Sequence, residues 1–471
     1  MDRRQFGLSL CGAHLSSPLS SLLGSSTGSG PWSEPAVVNK VYLAAKEVHW
    51  PSPSFDVNKE VATVEARLSE VERGHPGAIR FTGGQILRES TDIEPWVKSL
   101  TGADAVLMMP LSAPMVSQVT AIDAARLPVL YFIRPYLGHS WAGTGALRKT
   151  GRRVDLIASS SFGDLDAYAP IFRTIRHLKK SKVLVVTDRP SFWYAEPAKR
   201  FQAHFGTEMQ YMKLADLKPV FESGDINEAR RQADVLIGNA LRVVEPSRKE
   251  IDDAMRFYLG LRALLEKEKA NAITIDCFPA VVERTLPSYP CIAWAMLNDA
   301  GLYGVCQVDV RATMTQLLIT SYSGMPGFVA NPLFDTSKNE VIHSHCVAAT
   351  RMLGYHAPPA PYLVRSHLET AEGAVLQVIL PSARTVTVAQ FSDAKRLLVS
   401  TAEVTGSTSE VHGSPDAEYG CRTKMTTRVA DADKWVQNYE TGVHRVVFYG
   451  DYTRGIDRMG RLMGFEVVKE G

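Results

Sequence analysis

Side chains able to do chemistry gather most densely between Gly304 and Cys346. Gln307 and Asp309 stand before an apolar helical run, and Asn331 and Asp335 follow it. The run closes on His343-Ser344-His345-Cys346. Amides, carboxylates and imidazoles are the groups that bind sugar hydroxyls, hold metals and shuttle protons. Gln307 and Asp309, two residues apart, face the same way if the backbone between them is extended, and so do His343 and His345 in a strand. Plainer readings stand beside these. Asp335, in an Asp-Thr-Ser sequence, suits the cap of a turn or helix. His345 suits a hydrogen-bonded core or cleft residue as well as a ligand or substrate contact.

The elements that must position these groups read as a mixed α/β chain. Val37–Leu43, Ala105–Met109, Pro128–Ile133 and Val154–Ala158 are short apolar runs that suit buried strands. Helical spacing falls between them, as at Val61, Val64, Leu68 and Val71. The pattern restarts at Lys182–Val186 after a basic helix end, and Val235–Gly238 and Ala272–Ile275 are expected to continue it as strands. Lys249–Lys269 reads as a long amphipathic helix, and Pro290–Ala300 as a helix ended by Gly301. Strands alternating with helices imply βαβ units and a mainly parallel sheet. Beyond a Pro-rich linker at His356–Pro361 the texture turns to strands and turns. The expected fold class is therefore α/β: two doubly wound α/β domains, over 34–180 and 181–352, followed by a β-rich C-terminal domain over 353–471. Residues 1–33 form a signal or tail.

Composition narrows the function classes. The chain has 471 residues, 45% of them apolar and 22% charged, enough for two or three cores of about 150 residues. A net charge of +2 and isolated basic patches such as Arg148-Lys149 with Arg152-Arg153 argue against nucleic acid as a partner. No apolar run reaches the roughly 18 residues of a membrane span. Six cysteines without a CxxC pair read as small buried hydrophobes, not as a disulfide framework. Gly83-Gly84 and Gly138–Gly145 match no phosphate-loop or dinucleotide fingerprint, Ser159–Gly163 lacks a nucleophile-elbow frame, and no His-Glu-x-x-His helix occurs.

Three separated segments carry a resemblance. Asp276-Cys277-Phe278-Pro279 follows a strand, and Cys306-Gln307-Val308-Asp309 leads into the apolar helix. Ser323-Gly324, Phe328-Val329-Ala330-Asn331 and His345-Cys346 come next, and Val443-His444-Arg445 precedes a Gly-Asp turn and a closing helix-strand unit. In this order and spacing the chain resembles the L-fucose isomerase and L-arabinose isomerase family. The resemblance implies carbohydrate metabolism: an aldose–ketose isomerase acting on a small-molecule sugar through an enediol, with a divalent metal, typically Mn2+, stabilising the enediolate. It places the family's metal-binding and catalytic positions on Gln307, Asn331 and His444, with Asp309 on a further matching position. It also implies a homo-oligomer, a trimer or hexamer. This sequence departs from the family at two points, because Gln307 and Asn331 are amides where the family has Glu and Asp. An amide can donate an oxygen to a cation, but it carries no charge and cannot act as a base. A catalytically degenerate sugar-binding protein is the alternative that this departure implies.

At the N-terminus, Arg3-Arg4-Gln5-Phe6 and the mild apolar segment after it resemble a twin-arginine export signal. That reading makes the protein exported or periplasmic. A plain tail would leave it cytoplasmic.

Overall fold

The structure is a computed structural model that describes residues 34–470 apart from 114, 116, 138–140, 190–191, 408–419, 438 and 441, and apart from the side chains of 192–194. The twin-arginine stretch lies outside the described residues.

Five strands open the chain: β1 (Ala36–Leu43), β2 (Ile79–Leu87), β3 (Ala105–Pro110), β4 (Val129–Ile133) and β5 (Val154–Ala158). They form one parallel sheet in the order β2-β1-β3-β4-β5. Every residue of β3 and β4 is buried, because both faces are covered and an alternating pattern has no solvent face to serve. Val41, Val106, Met108 and Tyr131 face one core with Ile93, Trp96 and Ile122. Val38, Leu107, Leu130 and Phe132 face another, which runs on through the rest of the molecule. The helix Val57–Gly74 starts where Asp56 accepts hydrogen bonds from the N–H groups of Asn58 and Lys59, and it buries Val64, Leu68 and Val71.

A second parallel sheet follows, from β6 (Lys182–Val186) and β7 (Glu208–Met212), then, past the two-residue β8 (Arg242–Val243), β9 (Ala272–Ile275) and β10 (Tyr303–Cys306). Its order is β10-β9-β6-β7. The expected strand at Val235–Gly238 is instead the end of a helix, Ile226–Asn239. Asp225 caps that helix through the Glu228 N–H, and Ala229, Ala233 and Leu236 are buried at helical spacing. A four-residue apolar run carries no period of its own, and the capped turns upstream decide its conformation.

The C-terminal part is a closed barrel. Its strands are β11 (Phe328–Asp335), β12 (Glu340–His345), β15 (Thr385–Asp393), β16 (Arg396–Ser407), β17 (Thr423–Arg428) and β18 (Arg445–Tyr449), and two of these six precede residue 353. They run β15-β18-β11-β12-β17-β16, all antiparallel, and pairing of β15 with β16 closes the ring. Closure leaves no open sheet edge between those strands. β19 (Glu466–Lys469) pairs alongside β16, while β13 (Tyr362–Arg365) and β14 (Val375–Val378) join β8 in a small sheet.

The helix Val310–Ser323 locks the second parallel sheet to the barrel. It is buried from Ala312 to Ser321, as its almost all-round apolar and small residues require. Thr315 Oγ1 accepts from the Phe391 N–H of the barrel at 2.9 Å, and the Arg173 guanidinium donates to the Ser321 carbonyl at 2.7 Å. Among the described residues no helix is long and apolar enough to cross a membrane.

His343 is fully buried in β12 with Nε2 at 3.0 Å from Thr427 Oγ1. Burial, and then the positive charge of Arg445, push its pKa down to about 3. The unfolded chain therefore takes up a proton below about pH 6.5 that the native state refuses, so stability is lost as pH falls from there toward 3. His343→Gln is expected to make the fall in thermal midpoint between pH 7 and pH 4 shallower, as read by calorimetry. A wild-type slope in a folded variant would refute this account.

Candidate functional site

Strands β9 and β10 run side by side with Cys306 opposite Ile275, so the residues leaving their C-terminal ends meet. In open parallel sheets that edge is where ligands bind. Cys277 and Cys306, the first residues across the gap, bring their sulfurs within 3.1 Å, and both are buried and free. The chain then turns through Gln307 at φ +59° and Val308 at φ +51°. Two successive non-glycine residues in the left-handed region, one of them β-branched, cost roughly 1–2 kcal/mol each. The turn is held by the Val308 N–H donating to the Ile275 carbonyl at 3.0 Å and by complete burial of the Val308 side chain. Strain of this kind collects at sites where function fixes the backbone.

The turn delivers Asp309 to the head of the helix Val310–Ser323. Its Oδ1 accepts from the Ala312 N–H at 2.9 Å as a helix cap. Its Oδ2 lies 2.9 Å from Nδ1 of His444, which arrives from the barrel immediately before β18. A carboxylate is an acceptor, so Nδ1 carries the proton, and in the neutral form of the ring Nε2 then presents a lone pair. That Nε2 is buried without a partner among the described residues. Burial alone would raise the Asp309 pKa, but the hydrogen bond and charge of His444, the Ala312 N–H and Arg311 outweigh it and hold the carboxyl below its usual range.

These groups line one cleft of about 510 Å3, with Gln307, Asp309 and Arg311 at the helix head, His444 on the barrel side, and Asp276 and Arg189 beyond the ends of β9 and β6. Asp276 Oδ2 accepts from Arg189 Nε at 3.2 Å, Arg189 Nη2 at 3.0 Å and Thr187 Oγ1 at 3.2 Å.

Of the residues singled out in the sequence, Gln307, Asp309 and His444 thus come together. His345 stands beside them, its ring centroid 5.3 Å from that of His444. Its Nδ1 accepts from the Cys346 N–H at 2.8 Å, and burial, then His444 and His367, push its pKa well below normal, so it is a neutral ring with its proton on Nε2. Asn331 is not among the residues that line the cleft, but it lies on β11 opposite Ser344 and directly after Ala330, the partner of Arg445, so it stands in the sheet beside the strands that carry His345 and His444. Asp335 closes the β11–β12 hairpin, accepting from Ser337 and pairing with Lys338, so it serves the turn and not the cleft.

Arg189, Asp276 and Arg311 were not marked as site residues by their types. For Asp276 the signal was present, as the first residue after an apolar strand run. For Arg189 it was the position three residues beyond the end of β6.

The donor set suits a hard divalent cation poorly. Both oxygens of Asp309 are engaged, by Ala312 and His444, and Asp276 is paired through Oδ2 with Arg189, which leaves Oδ1 of Asp276, the neutral Gln307 amide and one imidazole nitrogen. Such cations favour anionic oxygen. Among the described residues no three His, Cys, Asp or Glu side chains come together as a metal-holding group. The chain matches no family model, and no curated protein is similar to it in sequence.

The strained turn makes a direct prediction. Gln307→Gly removes the Cβ from a left-handed position and is expected to stabilise the protein by about 1 kcal/mol, whereas Gln307→Val is expected to destabilise it. Denaturant midpoints of the two variants check this; equal midpoints would remove the strain from the account.

Proposed function

We propose that the cleft binds a sugar and interconverts its aldose and ketose forms through an enediol, with His444 as the proton carrier. One observation carries the reading: His444, a residue of the cleft lining, is held by Asp309 through Nδ1 at 2.9 Å while its buried Nε2 has no partner among the described residues. A neutral imidazole oriented by a carboxylate is a general base. Nε2 takes the proton from the carbon beside the carbonyl, giving an enediolate and an imidazolium that Asp309 stabilises, and the hydroxyl proton passes from one enediolate oxygen to the other. The imidazolium then returns the proton to the neighbouring carbon, and the carbonyl has moved by one position. The Gln307 amide supplies a donor and an acceptor for sugar hydroxyls. His345 stays neutral, which spares His444 a second cation at ring-contact distance. No step runs through a metal, because the donors do not suit one.

The resemblance to sugar isomerases belongs to this reading, together with the division of the α/β part into two doubly wound domains. The strand orders β2-β1-β3-β4-β5 and β10-β9-β6-β7 support that division. A second reading, sugar binding without turnover, is favoured by the amide of Gln307 at a position where the resemblance expects a carboxylate.

The test is a panel of aldoses and ketoses incubated with the protein in D2O, with and without added manganese. Product sugar and deuterium at C1 and C2 are followed by NMR. Turnover is expected without manganese, falling by about 10²–10⁴-fold in His444→Gln and Asp309→Asn. Binding with no turnover would leave the second reading, and strict dependence on manganese would overturn the metal-free one.

A further inference from the structure

The head of the helix Val310–Ser323 has more donors than a neutral sugar needs. The main-chain N–H groups of Val310 and Arg311 have no acceptor among the described residues, as expected for the first turn of a helix capped only at Ala312. The same end carries the positive pole of a 14-residue helix. No acidic residue follows in its first turn, and a cation, Arg311, occupies it instead. That placement is unfavourable by itself, since the pole repels positive charge.

Arg311 is anchored by Nε donating to the Ser392 carbonyl at 3.1 Å, which leaves its two terminal nitrogens without a protein partner among the described residues. The nearby carboxylates are already engaged. Asp309 holds His444, Asp276 holds Arg189, and Asp393, which feels the charge of Arg311, is paired with Arg200 at 2.6 Å and the Lys395 N–H at 3.3 Å. An uncommitted guanidinium and two uncommitted N–H groups at one helix head make an anion-binding arrangement.

A second observation on the same cleft points to a ligand. His444, which lines the cleft, is fully buried, and its Nε2 lacks a partner among the described residues. An imidazole nitrogen left without a partner calls for a hydrogen-bonding group such as a hydroxyl. The occupant must therefore offer both a hydroxylated carbon chain and a negative group. The volume, about 510 Å3, lies within the usual range for small-molecule sites.

We infer that the cleft is built for an acidic sugar, whose carboxylate or phosphate sits on Arg311 and the N–H groups of Val310 and Arg311 while its hydroxylated carbons face His444. The inference rests on the sugar reading of the same cleft. It adds the charge of the substrate, which neither composition nor resemblance supplies.

The experiment uses the full chain and four probes read by calorimetry: a neutral hexose, the corresponding uronic acid, the corresponding hexose phosphate, and inorganic phosphate. At least one acidic sugar is expected to bind tenfold or more tightly than the neutral hexose, with affinity falling as salt is raised. Arg311→Gln is expected to bring that preference close to one, with an unchanged or higher thermal midpoint showing that the fold is intact. Which acidic sugar shows the preference tells carboxylate from phosphate. Equal binding of neutral and acidic sugars would overturn the anion subsite and leave the sugar reading standing, and so would a preference that survives Arg311→Gln. Inorganic phosphate binding that Arg311→Gln abolishes, with no sugar bound, would sustain the anion subsite and sink the sugar reading. No binding by any probe would overturn both.

Discussion

Asp309 answers two demands with one carboxylate, and the geometry of the site depends on it. One oxygen caps the helix that joins the second parallel sheet to the barrel, and the other fixes the ring of a histidine 135 residues away. The contact works only because the strained turn at Gln307 and Val308 brings the chain round after β10. The cost of that turn is met by packing: Val308 and most of the helix behind it are buried. The same burial removes water that would otherwise compete for the Asp309–His444 hydrogen bond. Losing either partner would leave the other buried and uncompensated, a loss of order 3–5 kcal/mol for a buried charged pair.

The barrel that supplies His444 is stiffened by a second buried ion pair one residue further on. Arg445 donates to both oxygens of Glu470, at 3.0 and 2.8 Å, with side chains 0% and 2% exposed. The guanidinium also lies 4.0 Å from the Tyr439 ring centroid. A bidentate pair is more directional than a hydrophobic contact, so it fixes the start of β18. His444 consequently meets Asp309 from a frame that cannot easily slide. His343, close enough to feel the charge of Arg445, stays neutral in this environment. The site thus sits between two rigid bodies, the parallel sheet and the barrel, and each contributes one half of the Asp309–His444 pair.

Much of the α/β framework was legible because it is local. Runs such as Ala105–Met109 are long enough, and apolar enough, to be strands buried on both faces. The helices Val57–Gly74 and Arg248–Lys267 announce themselves by spacing, and in the structure Asp56 and Ser247 cap them. The reading failed at Val235–Gly238, where a short apolar run looked like a strand and the turns before it made it a helix. In the site, Gln307, Asn331 and His444 were identified together by the resemblance, with Asp309 on a further matching position, while Asp335 was grouped with them by nearness in sequence. A strand separates such neighbours quickly: Asp335, at the far end of β11, is already at the hairpin.

Local patterns in the chain set most element types, the apolar helix at the centre, and the supply of imidazoles, amides and carboxylates. Which of these groups meet is a matter of packing. The closure of β11, β12 and β15–β18 into a barrel is a set of long-range backbone pairings that no local pattern encodes. It sets His444 against Asp309 and His345 against His444. The folding of the chain ends beyond β6 and β9 likewise gathers Arg189 and Asp276 into the same cleft as Arg311. Side-chain chemistry is written in the residue. The partner that gives it a protonation state and an orientation comes from elsewhere in the chain, and only packing brings the two within hydrogen-bond range.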